Sequence, residues 1–396
     1  MNISKITPHI DYVGINDRVT DRFEGLWPLP YGVSYNSYIV RDEKTALIDT
    51  VEIGFVEDLL AHIHGIDQKL TIDYLVVNHM EPDHSGGIPV LLEAYPELKL
   101  VGNRQTIGML KGFYHIEDDS RFIEVKTGSS ISLGAVTLSF TLTPMVHWPE
   151  TMMTYVEEEK VLFTGDAFGC FGALNGGVTD GEMVTDHFFD EMYRYYSNIV
   201  GKYGRFVQKA MQAVSGLKFD YICPTHGPVW HSRIPDVVDI YSRLSLYEPE
   251  DGVVIVYGSM YGNTAAVAEA LATRLCARGI RNIKIHNASK SNMSYIISDA
   301  FRYKGLIVGS ATYSMRMFPE IERFMTAMET REVKNKVFAA FGSFTWAPAA
   351  LPAILEAAKR IGMEPVATLM MKQSADADTM AQLNSFADSF VEAYNK

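Results

Sequence analysis

From Gly252 onward the sequence alternates short apolar runs with longer stretches of helical periodicity. The runs GVVIVYGS, NIKIHNA, GLIVGSA, VFAAFGS and PVATLMM begin near Gly252, Asn282, Gly305, Val337 and Pro365. Helical patterns follow at about residues 264–278, 293–303, 319–328, 348–361 and 375–394. Strands this apolar cannot face water on either side. Their alternation with helices therefore restricts this half to a parallel sheet covered on both faces. Five such units make a doubly wound, flavodoxin-like domain, whose ligands sit at the C-terminal strand ends.

Three of those strand ends carry chemistry. The first runs into Ser259, Met260, Tyr261, Gly262, Asn263 and Thr264. Two hydroxyls, an amide, backbone N–H groups and a helix N-terminus can converge there on a phosphate. The Gly-Lys pair of a Walker loop and the GxGxxG spacing of a dinucleotide site are both absent. The second end, Ser310, Ala311, Thr312, Tyr313 and Ser314, and the third, Gly342, Ser343, Phe344, Thr345 and Trp346, add aromatic rings suited to flanking a tricyclic ring. Flavin mononucleotide (FMN) fits this set. The alternative is that Tyr313 and Trp346 merely cover the sheet edge.

The first half reads as short strands at residues 10–13, 37–40, 46–49, 98–102, 121–125 and 135–143, with helices at 52–64 and 189–212. Within it, residues 74–87 read YLVVNHMEPDHSGG. A buried strand ends there in a loop with His79, Glu81, Asp83 and His84. Four donors in six positions suit zinc, iron or manganese. The rival reading is a polar loop in which Asp83 or Ser85 caps the next helix. Three more candidates follow strands: His147 in TPMVHWPET, Asp166 after FTG, beyond a hairpin around residues 157–160, and His226 in CPTHGP. Singly, each histidine reads as a packed core residue and the aspartate as a turn residue; their recurrence at strand ends argues otherwise.

At 396 residues the chain has room for two or three domains. The polar stretch between His231 and Gly252, with Pro249 and EPED, reads as a boundary, giving domains of residues 1–250 and 251–396. A net charge of −13 argues against nucleic-acid binding. No run of about eighteen apolar residues is present, so a membrane span is not expected, and MNISKITPHIDYVG lacks the pattern of a signal peptide. Three scattered cysteines form no disulfide framework, and a reducing, cytoplasmic setting fits.

The two halves together resemble a known family. The first is similar to the αββα metallo-β-lactamase fold, whose usual motif is HxHxDH; the other half resembles flavodoxin. In this order, over the whole chain, they resemble the flavodiiron proteins, or A-type flavoproteins. The resemblance implies a non-haem diiron site: one iron held by His79, Glu81 and His147, the other by Asp83, His84 and His226, with Asp166 bridging. In the family the residue at His84 is not always bound to metal. Two loops depart from the family: Ala311 and Ser314 stand where Pro and Asn are frequent, and Thr345 where Gly is common. Glu81 replaces the second histidine of the hydrolytic relatives. A carboxylate there adds negative charge and a hard donor, which favours ferric iron and suits a redox pair.

What the resemblance implies is a reductase of dioxygen to water, nitric oxide to nitrous oxide, or both, with FMN relaying electrons to iron. It also implies a head-to-tail homodimer or a dimer of dimers, in which one subunit's flavin meets the other's metals. The chain ends at Lys396, directly after its last helix, so electrons are expected from a separate carrier: rubredoxin, the family's usual donor, or reduced coenzyme F420. The rivals are a zinc-dependent hydrolase fused to a flavodoxin module, and an electron-transfer protein with a vestigial metal site. Tyr35, Glu52, Trp148 and His187 are candidate pocket neighbours.

Overall fold

The computed structural model describes residues 3–396. Two compact units divide the chain: Met1–Tyr196 with Tyr203–Ser245, and Ser197–Lys202 with Leu246–Lys396. The boundary expected near residue 250 lies a few residues earlier, and the short 197–202 segment joins the second unit. The stretch after His231, read as a polar linker, is a helix over Ile234–Ser245. Its Val237, Ile240, Tyr241 and Leu244 are buried at helical spacing. Pro235 and the interleaved charges hid that stripe; a proline is tolerated in the first turn of a helix.

The first unit is built on two sheets. One has seven strands in the order Ser4–Lys5, Ile10–Tyr12, Tyr38–Arg41, Thr45–Ile48, Tyr74–Val76, Lys99–Gly102 and Phe122–Glu124. Its first four strands pair antiparallel, and Tyr74–Val76 onward pair parallel. The other runs Ser130–Ser132, Thr137–Leu142, Met152–Val156, Val161–Gly165 and Tyr221–Pro224, antiparallel except for the last pair. Met152–Val156 and Val161–Gly165 are buried at every position, so the loops that leave them start from rigid ground.

The second unit is one five-stranded sheet. In chain order its strands are Glu250–Gly258, Ile283–Asn287, Tyr303–Ala311, Val337–Phe344 and Pro365–Lys372, and they lie in the order 2-1-3-4-5, all parallel. Helices Asn263–Ala277 and Ala377–Tyr394 pack together on one face around Val267, Leu271, Leu275, Leu383, Phe386 and Phe390. Met293–Arg302, Pro319–Thr330 and Ala350–Ile361 pack side by side. This is the doubly wound arrangement that the apolar alternation demands.

Candidate functional site

The strand Tyr74–Val76 hands its chain to a loop that is tied down before it reaches a donor. Asp49, itself buried, accepts from the Asn78 amide N–H at 2.7 Å, from the Asn78 side chain at 3.1 Å and from the His79 N–H at 3.3 Å. Burial pushes the Asp49 carboxyl up to about 6, against these bonds and the nearby His84. A single helical turn, Pro82–Ser85, then presents Asp83 and His84. The helix-capping alternative does not hold. The next helix, Ile88–Ala94, is preceded by Gly87 with no side-chain cap, and Ser85 Oγ donates back to the carbonyls of Met80 and Glu81.

All seven candidate donors converge. His79, Glu81, His147 and Asp166 form one group of mutually close donor atoms, and Asp83, His84 and His226 form a second. In the first, His79 Nε2 lies 3.2 Å from Glu81 Oε2, and His147 Nε2 lies 3.0 Å from both Glu81 Oε2 and Asp166 Oδ2. In the second, Asp83 Oδ2 is 3.2 Å from His84 Nε2 and 3.3 Å from His226 Nε2. Asp166 faces both: its Oδ2 lies 3.4 Å from His79 Nε2, its Oδ1 3.2 Å from His84 Nε2. Adjacent ligands at right angles around a metal with bonds of about 2.1 Å are roughly 3 Å apart, so these spacings are those of a coordination shell.

Three observations test whether metal fits. His84 Nε2 and His226 Nε2 point at each other across 3.0 Å; two ring nitrogens cannot both carry a proton there, whereas a shared cation suits both. Both Asp83 oxygens are buried without a hydrogen-bond partner. The ion pairs of Glu81, Asp83 and Asp166 all run to histidines, none to Lys or Arg among the described residues. Burial opposes charge on Asp166, yet the charges of His79 and His84 and the hydrogen bonds from His147 and His84 hold its carboxyl well below the usual range. Burial also opposes a proton on His147, but Asp166 and Glu81 raise it to about 9. Carboxylates that force protons onto buried imidazoles mark a cluster short of positive charge, and metal binding displaces those protons. The residues fit a metal pair.

Of the expected pocket neighbours, Trp148 stands edge-on to His79 at 5.4 Å and Tyr35 lies 5.9 Å from His226. Glu52 spends its carboxylate on the Gly54 N–H at 2.7 Å. His187 lies against Phe188 and Tyr31, at 3.9 and 5.5 Å. Sequence reasoning missed Phe23 and Tyr195, whose rings lie 5.3 and 5.6 Å from His226. Beneath His226, Gly227 takes φ +80°, and a Cβ there would meet Cys170 Sγ at 2.3 Å, so the loop is seated directly on that buried thiol.

In the second unit a cleft opens between the expected loops. Ser259, Met260, Tyr261, Asn263, Thr264, Ala311, Thr312, Ser343, Phe344, Thr345 and Trp346 line it. Thr264 Oγ1 and Ser343 Oγ hydrogen-bond at 2.9 Å across two loops. Ala347 and Gln373, not anticipated, line it too. Five expected residues stand outside the lining. Ser310 Oγ accepts the Phe318 N–H at 2.8 Å and so braces its loop. Gly342 packs where a Cβ would meet Leu351. Gly262 supplies the φ +93° turn before the helix. The Tyr313 N–H donates to the Arg316 carbonyl at 3.1 Å, and Ser314, at φ +46°, forms the bend.

Comparison with known proteins matches residues 33–227 to the ODP family beta lactamase model and residues 255–386 to flavodoxin. The anaerobic nitric oxide reductase flavorubredoxin of Escherichia coli O1:K1 is 33% identical, across 94% of this chain and 78% of that one. The rubredoxin oxygen:oxidoreductase of Desulfovibrio gigas superimposes with a TM-score of 0.94 at 30% identity, covering 99% and 98% of the two chains. The flavodiiron protein of Giardia intestinalis gives a TM-score of 0.93 at 25% identity, over 99% and 97%. The chain belongs to the flavodiiron family. The named bacterial relatives are oxidoreductases, and a hydrolase reading is not favoured.

One residue of this flavodiiron chain carried no signal of its role in the sequence. Glu150, fully buried, accepts at Oε1 from His79 Nδ1 at 2.8 Å and from the Met80 N–H at 2.9 Å. Burial would raise its carboxyl, but the bond and charge of His79 and the backbone N–H groups hold it below the ordinary range. HWPET places a carboxylate three residues after His147, yet nothing in that spacing links it to His79, 71 positions away.

Proposed function

We propose that this protein is a flavodiiron reductase that takes electrons from an external carrier through FMN and reduces dioxygen to water, nitric oxide to nitrous oxide, or both. The observation that carries the proposal is the seven-donor cluster with Asp166 facing both halves, in one chain with a cleft lined by hydroxyl and aromatic side chains. His79, Glu81 and His147 would hold one iron and Asp83, His84 and His226 the other, with Asp166 between them. When bound, the iron pair and the flavin supply four electrons to reduce O2 with four protons to two waters, or two electrons to join two NO with two protons into N2O and one water.

The chain's own residues prepare that chemistry. Asp166, Glu81 and Asp83 concentrate negative charge where a cation pair must sit. Phe23, Tyr35, Trp148 and Tyr195 pack aromatic rings against the donor histidines, and so wall the pocket with apolar surface that admits small apolar gases and excludes bulk water. In the cleft, Ser259, Asn263 and Thr264 at the N-terminus of helix Asn263–Ala277 would bind the FMN phosphate, while Trp346 and Tyr261 would flank the ring.

The same reading includes a head-to-tail homodimer or dimer of dimers. Rubredoxin, or reduced coenzyme F420, is the proposed donor; the rubredoxin-linked name of the D. gigas relative favours the former. Among the described residues no helix is long and apolar enough to cross a membrane, which agrees with a cytoplasmic setting. The experiment is anaerobic reduction of protein with measured iron and FMN, followed by parallel consumption assays with O2 and NO. Rapid loss of either gas is expected. Two zinc per chain with thioester or lactam hydrolysis, or no turnover of either gas by the iron- and FMN-loaded protein, refutes the proposal.

A further inference from the structure

The two halves of the donor cluster are nearly matched. Each offers two imidazoles and one carboxylate, and Asp166 gives one oxygen to each side. They differ in what stands behind the imidazoles. With Nε2 turned to the other donors, Nδ1 carries the proton. His79 Nδ1 then donates to the Glu150 carboxylate at 2.8 Å, and His226 Nδ1 donates to the neutral Ser34 carbonyl at 2.7 Å. His84 Nδ1 is buried with no hydrogen-bond partner among the described residues.

Glu150 is unusually placed for a charged group. Its residue exposure is 0%, its Oε2 has no hydrogen-bond partner, and its ion pair is with His79. A carboxylate that accepts an imidazole N–H pulls the proton toward itself and makes the opposite nitrogen a stronger donor; a carbonyl does so less. A second contact acts in the same direction. Thr225 Oγ1 donates at 2.5 Å to Asp166 Oδ1, the oxygen turned toward the second half, and so weakens that oxygen as a ligand. Asp49, the other buried carboxyl nearby, bonds Asn78 and the His79 backbone and not an imidazole ring.

Resting on the reading of the cluster as an iron pair, we propose that Glu150 is a positioning residue that makes the two metal positions electronically unequal, so that the metal on the His79, Glu81 and His147 side is the first to lose an electron. The step is a one-electron oxidation. With iron bound, a diferrous pair that gave one electron to an outer-sphere oxidant such as ferricyanide would become ferric–ferrous, and the ferric charge would sit on the side backed by Glu150. No bond to iron forms or breaks, and the Nδ1 proton stays within the His79–Glu150 bond.

The test is a potentiometric titration of the holoenzyme, with the mixed-valent population read by low-temperature EPR, on wild type, Glu150→Gln and Glu150→Asp. Gln keeps the shape and both acceptor contacts but removes the charge. In Glu150→Gln the lower of the two iron potentials is expected to rise and the upper to move little. The gap narrows, and the maximum mixed-valent signal falls; Glu150→Asp keeps more of the gap. An unchanged gap overturns the proposal, and a widened gap shows the other iron to be oxidised first. Iron retention gives a second reading: affinity falls about 10–100-fold in Glu150→Gln and less in Glu150→Asp. Equal iron loss in both variants shows that charge is not the issue and also overturns it. Wild type without iron would refute the functional reading itself; wild type with two irons and an unmoved Glu150→Gln titration refutes this inference alone.

Discussion

In the first unit, seven donors arrive from four strand ends and are held from behind by Asp49, Glu150, Ser34 and Thr225. In the second, three loops at neighbouring strand ends enclose a cleft whose hydroxyls bond one another, as Thr264 and Ser343 do, or accept backbone N–H groups, as Ser259 and Thr312 do, and whose aromatic rings stand in solvent. Both regions use the same placement at the C-terminal ends of strands. They differ in how charge is handled. The donor cluster buries several carboxylates with no Lys or Arg partner among the described residues, a state that is costly until cations arrive. The cleft buries no charge of its own, and an anionic ligand would be met there by N–H groups, hydroxyls and a helix dipole. The first region therefore depends on its ligand for stability, and the second should be nearly indifferent to its own.

The sharpest way to break that comparison is Asp166→Ala. Loss of a group that faces both halves is expected to lower iron affinity by more than about 100-fold, beyond the usual cost of an outer partner. Both irons should be lost together, with FMN content unchanged; plasma emission analysis showing one iron retained would contradict it. Chelation of the wild type comes next. At free iron near 1,000 times its dissociation constant, binding stabilises by about 4 kcal/mol, whereas FMN held near 10 times its own contributes only about 1.4 kcal/mol, so under those conditions the iron-free protein should melt well below the holo form in calorimetry and removal of FMN should shift melting much less. Equal shifts would erase the distinction.

In the cleft, Thr264→Val removes one hydroxyl from the proposed phosphate site. A hydrogen bond to a charged group is worth about 1.5–3 kcal/mol, so FMN affinity in a fluorescence titration should fall about 10–100-fold, with iron unaffected. A pH effect confined to the second unit is also expected. The Lys336 ammonium donates to the carbonyls of Phe301 and Tyr303 at 2.8 and 2.7 Å, yet burial lowers its pKa to about 7. Between there and the ordinary lysine value near 10.5 the unfolded chain binds the extra proton, so this group's contribution to stability rises with pH. At about 1.4 kcal/mol per unit, denaturant melts between pH 7 and 9 should show a stabilising slope that Lys336→Met removes. The smallest effect belongs to His187→Ala, less than about twofold in turnover and iron content, since the ring packs on Phe188 and Tyr31 and surface changes of this kind are usually mild. A large loss would place His187 in the working pocket after all.

The parts legible in the sequence were those whose signal is local. The five apolar strands of the second unit, the His79–His84 loop and the hydroxyl loop at Ser259–Thr264 each announce themselves within a dozen residues. Contacts that join distant segments do not. Glu150 reads as a residue beside a proline until His79 is seen above it. Gln373 lines the cleft because the last strand ends there, which no spacing reveals. Helix Ile234–Ser245 was lost to its proline and charges, though its apolar stripe was present. Ser310 and Gly342 sit in the right loops, so sequence alone gives them to the ligand. Their side-chain and Cβ positions turn inward, where a hydroxyl braces a turn and a missing methyl admits Leu351.

The seat beneath His226 bears on the lifetime of the protein. Burial pushes the Cys170 thiol well up, so its sulfur stays protonated and slow to react. Gly227 rests on it with no space for another atom. A single oxygen added to that sulfur would have to lift the loop and carry His226 with it. Under the proposed function, in which oxidising gases reach the donor cluster, the protein thus keeps a fragile atom one layer beneath a donor, and its endurance depends on that layer staying dry.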